Sequence, residues 1–357
     1  MGKGEVISHG RHVVVPVLAG IGNAVLTVPL LRQLKTSGAA GRLTVLALGG
    51  AIADVCGRLP EVDEVIKARS TKELRHVRKA RADVVLLPFP ANRWQYRLLA
   101  SFSGAPKVVT HRYPTGQLAG LALLPKLAGK DVHTIDALPG RHDVLQNLDL
   151  VRAFGVTPEP ASPVFPLGDS ERETAGESLR GSIVIQPGCG DTVVGRKKRP
   201  PIEFFAKLAE AIAAAGHWPV LIEGPDERGV GDDVAKAASG TIEVHPLLGS
   251  LGESAAALST AACYVGVDSG LAHVSAAVGT PAVTLFAAAD PKRVCPYGYD
   301  GLAVTPRPSD GESWQPLLLY PMHAAGPKLR HSPVDWTRQF DIDDVVEKLA
   351  VALQTRP

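Results

Sequence analysis

The sequence has little of what marks a special environment. Its four cysteines, Cys56, Cys189, Cys263 and Cys295, stand far apart with no CxxC pair. That spacing excludes a zinc-ribbon ligand set and a disulfide framework, and leaves buried reduced thiols as the expectation. A charge excess is also missing. The chain has 38 Lys+Arg against 36 Asp+Glu, a net charge of +2, so no nucleic-acid partner is expected. No stretch reaches about 18 uninterrupted apolar residues, so no transmembrane helix is expected. Peripheral contact with the inner membrane stays open. The first residues, MGKGEVISHGRHVVVP, lack the apolar core of a signal peptide, which points to the cytoplasm.

What is present is alternation. At 357 residues the length suggests about two domains. Short Val-, Ile- and Leu-rich runs read as buried strands: HVVVPVL (12–18), LTVLAL (43–48), DVVLLP (83–88), KVVT (107–110), SIVIQ (182–186), PVLIE (219–223), CYVGV (263–267) and AVTLF (282–286). Between them lie segments with helical spacing, including 24–35, 73–81, 93–102, 200–216 and 252–261. Strands alternating with helices imply crossovers and a mainly parallel sheet. The Pro-, Ser- and Gly-rich stretch GVTPEPASPVFPLGDS (155–170) reads as a linker between residues 1–160 and 170–357. The expected architecture is two Rossmann-like, doubly wound α/β domains facing a central cleft. Residues 300–335 show no clear period. In FDIDDVVEKLAVAL, an apolar face runs through Ile342, Val345, Val346, Leu349 and Leu353. This terminal helix, 341–354, is expected to need a packing partner, with the N-terminal domain a candidate.

In such sheets ligands bind beyond the carboxyl ends of the strands, so the loops after strands are where chemistry is sought. The strand at 263–267 runs into Asp268, Ser269, Gly270 and, one turn on, His273. A helix starting there presents unpaired N–H groups and its positive dipole end. Gly270 allows close approach, Ser269 adds a donor, and His273 can donate or carry charge, a pattern that suits a phosphate. Asp268 would repel that phosphate, and reads better as a helix cap or an acceptor from ligand hydroxyls. The competing reading is plain N-capping by Asp268 or Ser269 with a packed histidine. AGIGN (19–23) also follows a strand, but Gly20 and Gly22 match only part of a dinucleotide fingerprint, because position 25 is Val. It reads as a tight turn, with Asn23 capping the helix or facing a substrate. GRKKRPP offers Lys197 and Lys198 as point charges for an anion, or as a solvated loop. Glu227, or Glu223, could hold ribose hydroxyls, and Arg93 and Arg97 an acidic acceptor.

These blocks, in this order, resemble glycosyltransferase family 9, the ADP-heptose heptosyltransferases of GT-B fold. The resemblance rests on GIGNAVLTVPLLRQLK, LPEVDEVI, SGAPKVVTHR, HDVLQNLDLVRAFGV, IVIQPGCG with KKRPPIEFFAKLAEAI, and VDSGLAHVSAAVGTPAVTLF with ADPKRVCPYG. It implies inverting, metal-independent transfer from a nucleotide diphosphate sugar, with the donor on the C-terminal domain and the acceptor on the N-terminal one; lipopolysaccharide core is the family's common acceptor, and a different glycan or a small molecule is the alternative. It places Asp268, Ser269, Gly270 and His273 on the donor, Lys197 or Lys198 on its phosphate, and Glu227 on its ribose. No cofactor is implied.

The chain departs from the family pattern at three places, one of them a segment within residues 301–340 that does not align with it. The aspartate proposed as the family's base is here Asn23, and an amide cannot take up a proton at neutral pH. The family's FGPTDP reads FAAADP. His111 and Asp136 are alternative bases. The substitution at Asn23 supports a rival reading, a sugar-nucleotide binder without catalysis. A Rossmann oxidoreductase is disfavoured, because LTVLALGG brings no carboxylate for a ribose.

Overall fold

The computed structural model describes residues 6–91, 94–113, 124–175, 177–190, 195, 198–224, 227–246, 249–308, 314–316 and 335–354. Lys197 and Arg93 lie outside them. The chain divides into two units at Phe165/Pro166, inside the Pro-rich linker.

The first unit holds β1 (Arg11–Val17), β2 (Ala40–Leu48), β3 (Glu64–Ala68), β4 (Val84–Leu86), β5 (Lys107–Arg112) and β6 (Asp131–Asp136). Its helices are α1 (Ile21–Thr36), α2 (Gly50–Gly57), α3 (Trp94–Phe102), α4 (Leu124–Leu127) and α5 (Asp143–Asp149). All described pairings are parallel, in the order β3-β2-β1-β4-β5-β6. A sheet covered on both faces selects continuous apolar strands rather than alternating ones. Val13, Val14 and Val15 of β1 are accordingly all fully buried, each such side chain stabilising the fold by roughly 1.5–3 kcal/mol. The edge strands β3 and β6 are only partly buried, and EVIKA and DVHTID are correspondingly polar. The expected helix at 73–81 is a 3₁₀ helix, Thr71–Ala80.

The second unit repeats the plan. It contains β7 (Ile183–Gln186), β8 (Pro219–Glu223), β9 (Glu243–Pro246), β10 (Cys263–Val267), β11 (Ala282–Leu285) and β12 (Ala303–Val304). Its helices are α6 (Asp169–Ala175), α7 (Ile202–Ala214), α8 (Val230–Ala237), α9 (Leu251–Thr260), α10 (Gly270–Ala277), α11 (Pro291–Val294) and α12 (Ile342–Gln354). The sheet order is β12-β11-β10-β7-β8-β9, again parallel. Counted from its own first strand, this is the same 3-2-1-4-5-6 order as the first sheet. α7 begins at Pro201–Ile202 and ends before Gly216, as its proline and glycine dictate. α12 buries Val345, Leu349 and Ala352 in the core of this unit, with Phe205 and Leu285. All four cysteines are buried, and none forms a disulfide.

The strand order reverses between β1 and β4 in one sheet and between β7 and β10 in the other. A ligand crevice is expected at these switch points, beyond the carboxyl ends of the strands.

Candidate active site

At the second switch point, β7 ends in Gln186, which is buried. Its side-chain amide donates to the two Glu227 carboxylate oxygens at 3.0 and 3.3 Å. Its Oε1 accepts from the Tyr264 hydroxyl at 2.5 Å and from Ser269 Oγ at 3.0 Å. Burial pushes the Tyr264 phenol's pKa well upward, so it stays a donor. These contacts fix the orientation of the Gln186 amide, since a carboxylate only accepts and the phenol must donate. Glu227 is itself buried, and the N–H of Gly224 donates to it at 3.4 Å. Gly188 makes this inward fold possible: a Cβ there would stand 2.7 Å from Cγ and Cδ of Glu227.

β10 leads into Asp268, whose Oδ2 accepts from Lys198 Nζ at 2.5 Å, while its carbonyl oxygen accepts from the same ammonium at 3.3 Å. Both partners are largely buried. The expectation that Asp268 or Ser269 caps the helix by its side chain is corrected here. Ser269 occupies the cap position of α10 with extended φ/ψ, yet no side chain caps the helix. The Ser269 hydroxyl is turned to Gln186 and Tyr264, and the Asp268 carboxylate to Lys198. The first-turn N–H groups of α10 therefore lack the satisfaction that a Ser or Asp cap normally supplies. Gly270 is the first helical residue, and His273, one turn in, is buried. Glu223, the alternative ribose ligand, is committed elsewhere. It accepts from the N–H groups of Gly229, Gly231 and Asp232 and so holds the start of α8.

In the first unit, Gly20 caps α1 with φ of 31° and no side-chain bond. Gly22 and Asn23 lie within the first turn, so Asn23 is not the cap. Its side-chain amide is half-buried and has no hydrogen-bond partner among the described residues, while its carbonyl accepts from Thr27 Oγ1 at 2.7 Å. Arg97 is only 3% exposed. Its guanidinium donates to Thr110 Oγ1 at 3.2 Å and lies 6.0 Å from the Tyr113 ring centroid, with no carboxylate partner among the described residues. Burial pulls its pKa down.

The two alternative bases differ. His111 is buried on β5, and its Nε2 lies 3.0 Å from the Gln146 carbonyl. A carbonyl only accepts, so Nε2 holds the proton and Nδ1 a lone pair. That Nδ1 has no hydrogen-bond partner among the described residues. Burial lowers the His111 pKa to about 4. Asp136 is exposed and ion-paired to Arg112 at 2.6 Å, and that bond lowers its pKa. Neither shares an element with Asn23. Asn147 links the segment after β4 to α1 by accepting from the Phe89 N–H at 2.7 Å and donating to the Leu26 carbonyl at 3.2 Å.

Gln186, Tyr264 and Gly188 are absent from the residues singled out by sequence. A polar Gln closing the buried run IVIQ, and a phenol in CYVGV, were the available signals. No group of three or more potential metal ligands occurs among the described residues, and no described helix is long and apolar enough to cross a membrane.

The model of glycosyltransferase family 9 (heptosyltransferase) matches residues 89–306, more than half of the chain. This chain belongs to glycosyltransferase family 9. It is 29% identical over 166 residues to lipooligosaccharide heptosyltransferase 2 of Haemophilus influenzae, covering 45% of this chain and 47% of that one. The chain thus spans about half the length of the curated relatives it first matches. Among solved structures, the family 9 glycosyl transferase of Veillonella parvula superposes with a TM-score of 0.76 at 21% identity, over 98% and 99% of the two chains. The E. coli ADP-heptose LPS heptosyltransferase II superposes with a TM-score of 0.68 at 21% identity, over 96% and 98%. The fold is of GT-B type.

Proposed function

We propose that this chain is an inverting glycosyltransferase of the cytoplasm. It moves a sugar, of the heptose class, from a nucleoside diphosphate donor such as ADP-heptose to an acceptor hydroxyl, with lipopolysaccharide core the acceptor class. The observation that carries this reading is the uncapped N-terminus of α10 at the β7/β10 switch point, beside Lys198. Fixed N–H dipoles there suit the diphosphate and offset the negative charge that grows as the nucleotide leaves. Lys197 or Lys198 adds positive charge, and no metal is needed. Glu227 accepts from ribose hydroxyls, and His273 stands beside the phosphates. The acceptor oxygen attacks the anomeric carbon, the bond to the diphosphate oxygen breaks, and the acceptor proton is released. Arg97, a buried cation without a carboxylate, suits an anionic group on the acceptor, with Arg93 as a second cation.

A second reading rests on Asn23. An amide orients an acceptor hydroxyl but takes no proton. On this reading the chain binds sugar nucleotides without transferring them. Incubation with ADP-heptose and a core oligosaccharide, following ADP release and the anomeric configuration of the product, separates the two. Acceptor-dependent release with inversion supports transfer. Donor binding without release, with turnover gained by Asn23→Asp, supports the binder. Absence of both binding and release contradicts both.

A further inference from the structure

Two consecutive cations divide the carboxyl end of the second sheet between them. A turn closed by the Lys198 N–H on the Gly195 carbonyl, at 2.9 Å, presents Lys198 and Arg199 side by side. Lys198 reaches the end of β10, where Asp268 takes it. Arg199 reaches the loop after β7 instead, and its Nη2 donates to the Cys189 carbonyl. Cys189 Sγ donates in turn to the Gly195 carbonyl at 3.1 Å, so the two loops hold each other. Pro200 and Pro201 follow, and a residue before proline is kept out of the helical region. The half-buried Arg199 is thus set before a ligand arrives, which lowers the entropic cost of binding.

Charge indicates what this arrangement is for. Lys198 is neutralised by Asp268. Glu227 is a buried carboxylate whose side-chain bonds come from uncharged donors, the Gln186 amide and the Gly224 N–H. Arg199 has no carboxylate partner among the described residues, and its Nε is buried with no hydrogen-bond partner. The Cys189 thiol senses the whole group. Burial raises its pKa, Lys198 and Arg199 pull it back, and Glu227 pushes it up. Without Arg199 these side chains would leave a net negative charge where a diphosphate is to sit.

The competing reading is a clip that only holds the Cys189 loop. A clip needs one N–H and gains nothing from an Nε left buried and unpaired, which is destabilising in the free chain. A phosphate supplies the missing acceptors, and the planar fork of a guanidinium matches its geometry.

We propose that Arg199 is a donor-recognition residue: its guanidinium, anchored on Cys189, bonds the diphosphate oxygens of the nucleotide with its remaining N–H groups. This rests on the nucleoside diphosphate reading above, and adds to it the cation that Asp268 does not neutralise.

The test is a ligand-observed NMR titration of the full chain with ADP and with adenosine, which lacks the phosphates. In Arg199→Met, ADP affinity should fall about 30-fold while adenosine affinity changes by less than about twofold. Arg199→Lys keeps a point charge but loses the fork, and should cost about fivefold on ADP alone. It serves as the probe if Arg199→Met fails to fold. Equal losses for ADP and adenosine would overturn the proposal, because they mark a clip for the loop. ADP affinity within about twofold of wild type in both variants would also overturn it, and would leave the nucleotide reading intact. A wild-type chain that binds no ADP contradicts both.

Discussion

The two sheets share one strand order but treat their switch points in opposite ways. In the second unit, the polar groups at the ends of β7 and β10 satisfy one another: Glu227 with Gln186, Gln186 with Tyr264 and Ser269, and Asp268 with Lys198. Among the described residues, the start of α10 is left without a side-chain cap. The first unit instead holds side chains with bonding capacity unused among the described residues: the Asn23 amide, His111 Nδ1, and the Arg97 guanidinium, which bonds Thr110 Oγ1 but no carboxylate. Identical topology therefore says where to look, and the pattern of satisfied and unsatisfied groups says what each place awaits. A pre-wired cradle exposing backbone N–H groups suits a common, invariant ligand part. Unpaired side chains suit a ligand that brings its own partners.

The most damaging way to break this contrast is Gln186→Leu. It leaves the Tyr264 and Ser269 hydroxyls only their contact with each other, and the Glu227 carboxylate buried with little support. Unfolding in urea should show a loss of about 3 kcal/mol. Next is Lys198→Met, which removes a cation and leaves Asp268 unpaired beside the proposed phosphate site. Calorimetric titration should find ADP affinity down about 100-fold, with about tenfold recovered when Asp268→Asn is added. A double variant no better than the single one would mean the pair is not coupled.

The first unit is sharpened by pH. The His111 pKa is lowered to about 4 by burial, below its unfolded value of about 6.5. The unfolded chain therefore binds the proton more readily. The histidine's contribution is fully present above about pH 6.5 and is lost as pH falls toward 4. Urea midpoints across that window should show wild type losing on the order of 2 kcal/mol more than His111→Phe. The smallest effect is expected at Arg97→Met. Removing a buried cation that has no carboxylate should leave stability unchanged or raise it by about 1 kcal/mol. A loss of several kcal/mol would show that Arg97 is already paired.

The buried strands were legible because a parallel sheet covered on both faces writes continuous apolar runs, and PVLIE and CYVGV match β8 and β10 residue for residue. The edge strands β3 and β6 were not, since half-solvated strands carry charges and lose that signature. α2 and α5 are too short to show a helical period. At the site, the motif VDSG was visible as a polar interruption after a strand. The use of each residue was not. Whether Ser269 caps α10 or turns to Gln186, and whether Asp268 caps or pairs with Lys198, depends on partners 83 and 70 residues away, which no local pattern encodes.

A crystal structure of the chain with ADP bound tests the central claim most directly. The predicted result is the diphosphate within about 3 Å of the backbone nitrogens that open α10, at Gly270 and Leu271, with Gln186 still bonded to Ser269. ADP bound away from α10, or a Ser269 hydroxyl swung back to cap the helix while nucleotide binds elsewhere, would contradict it.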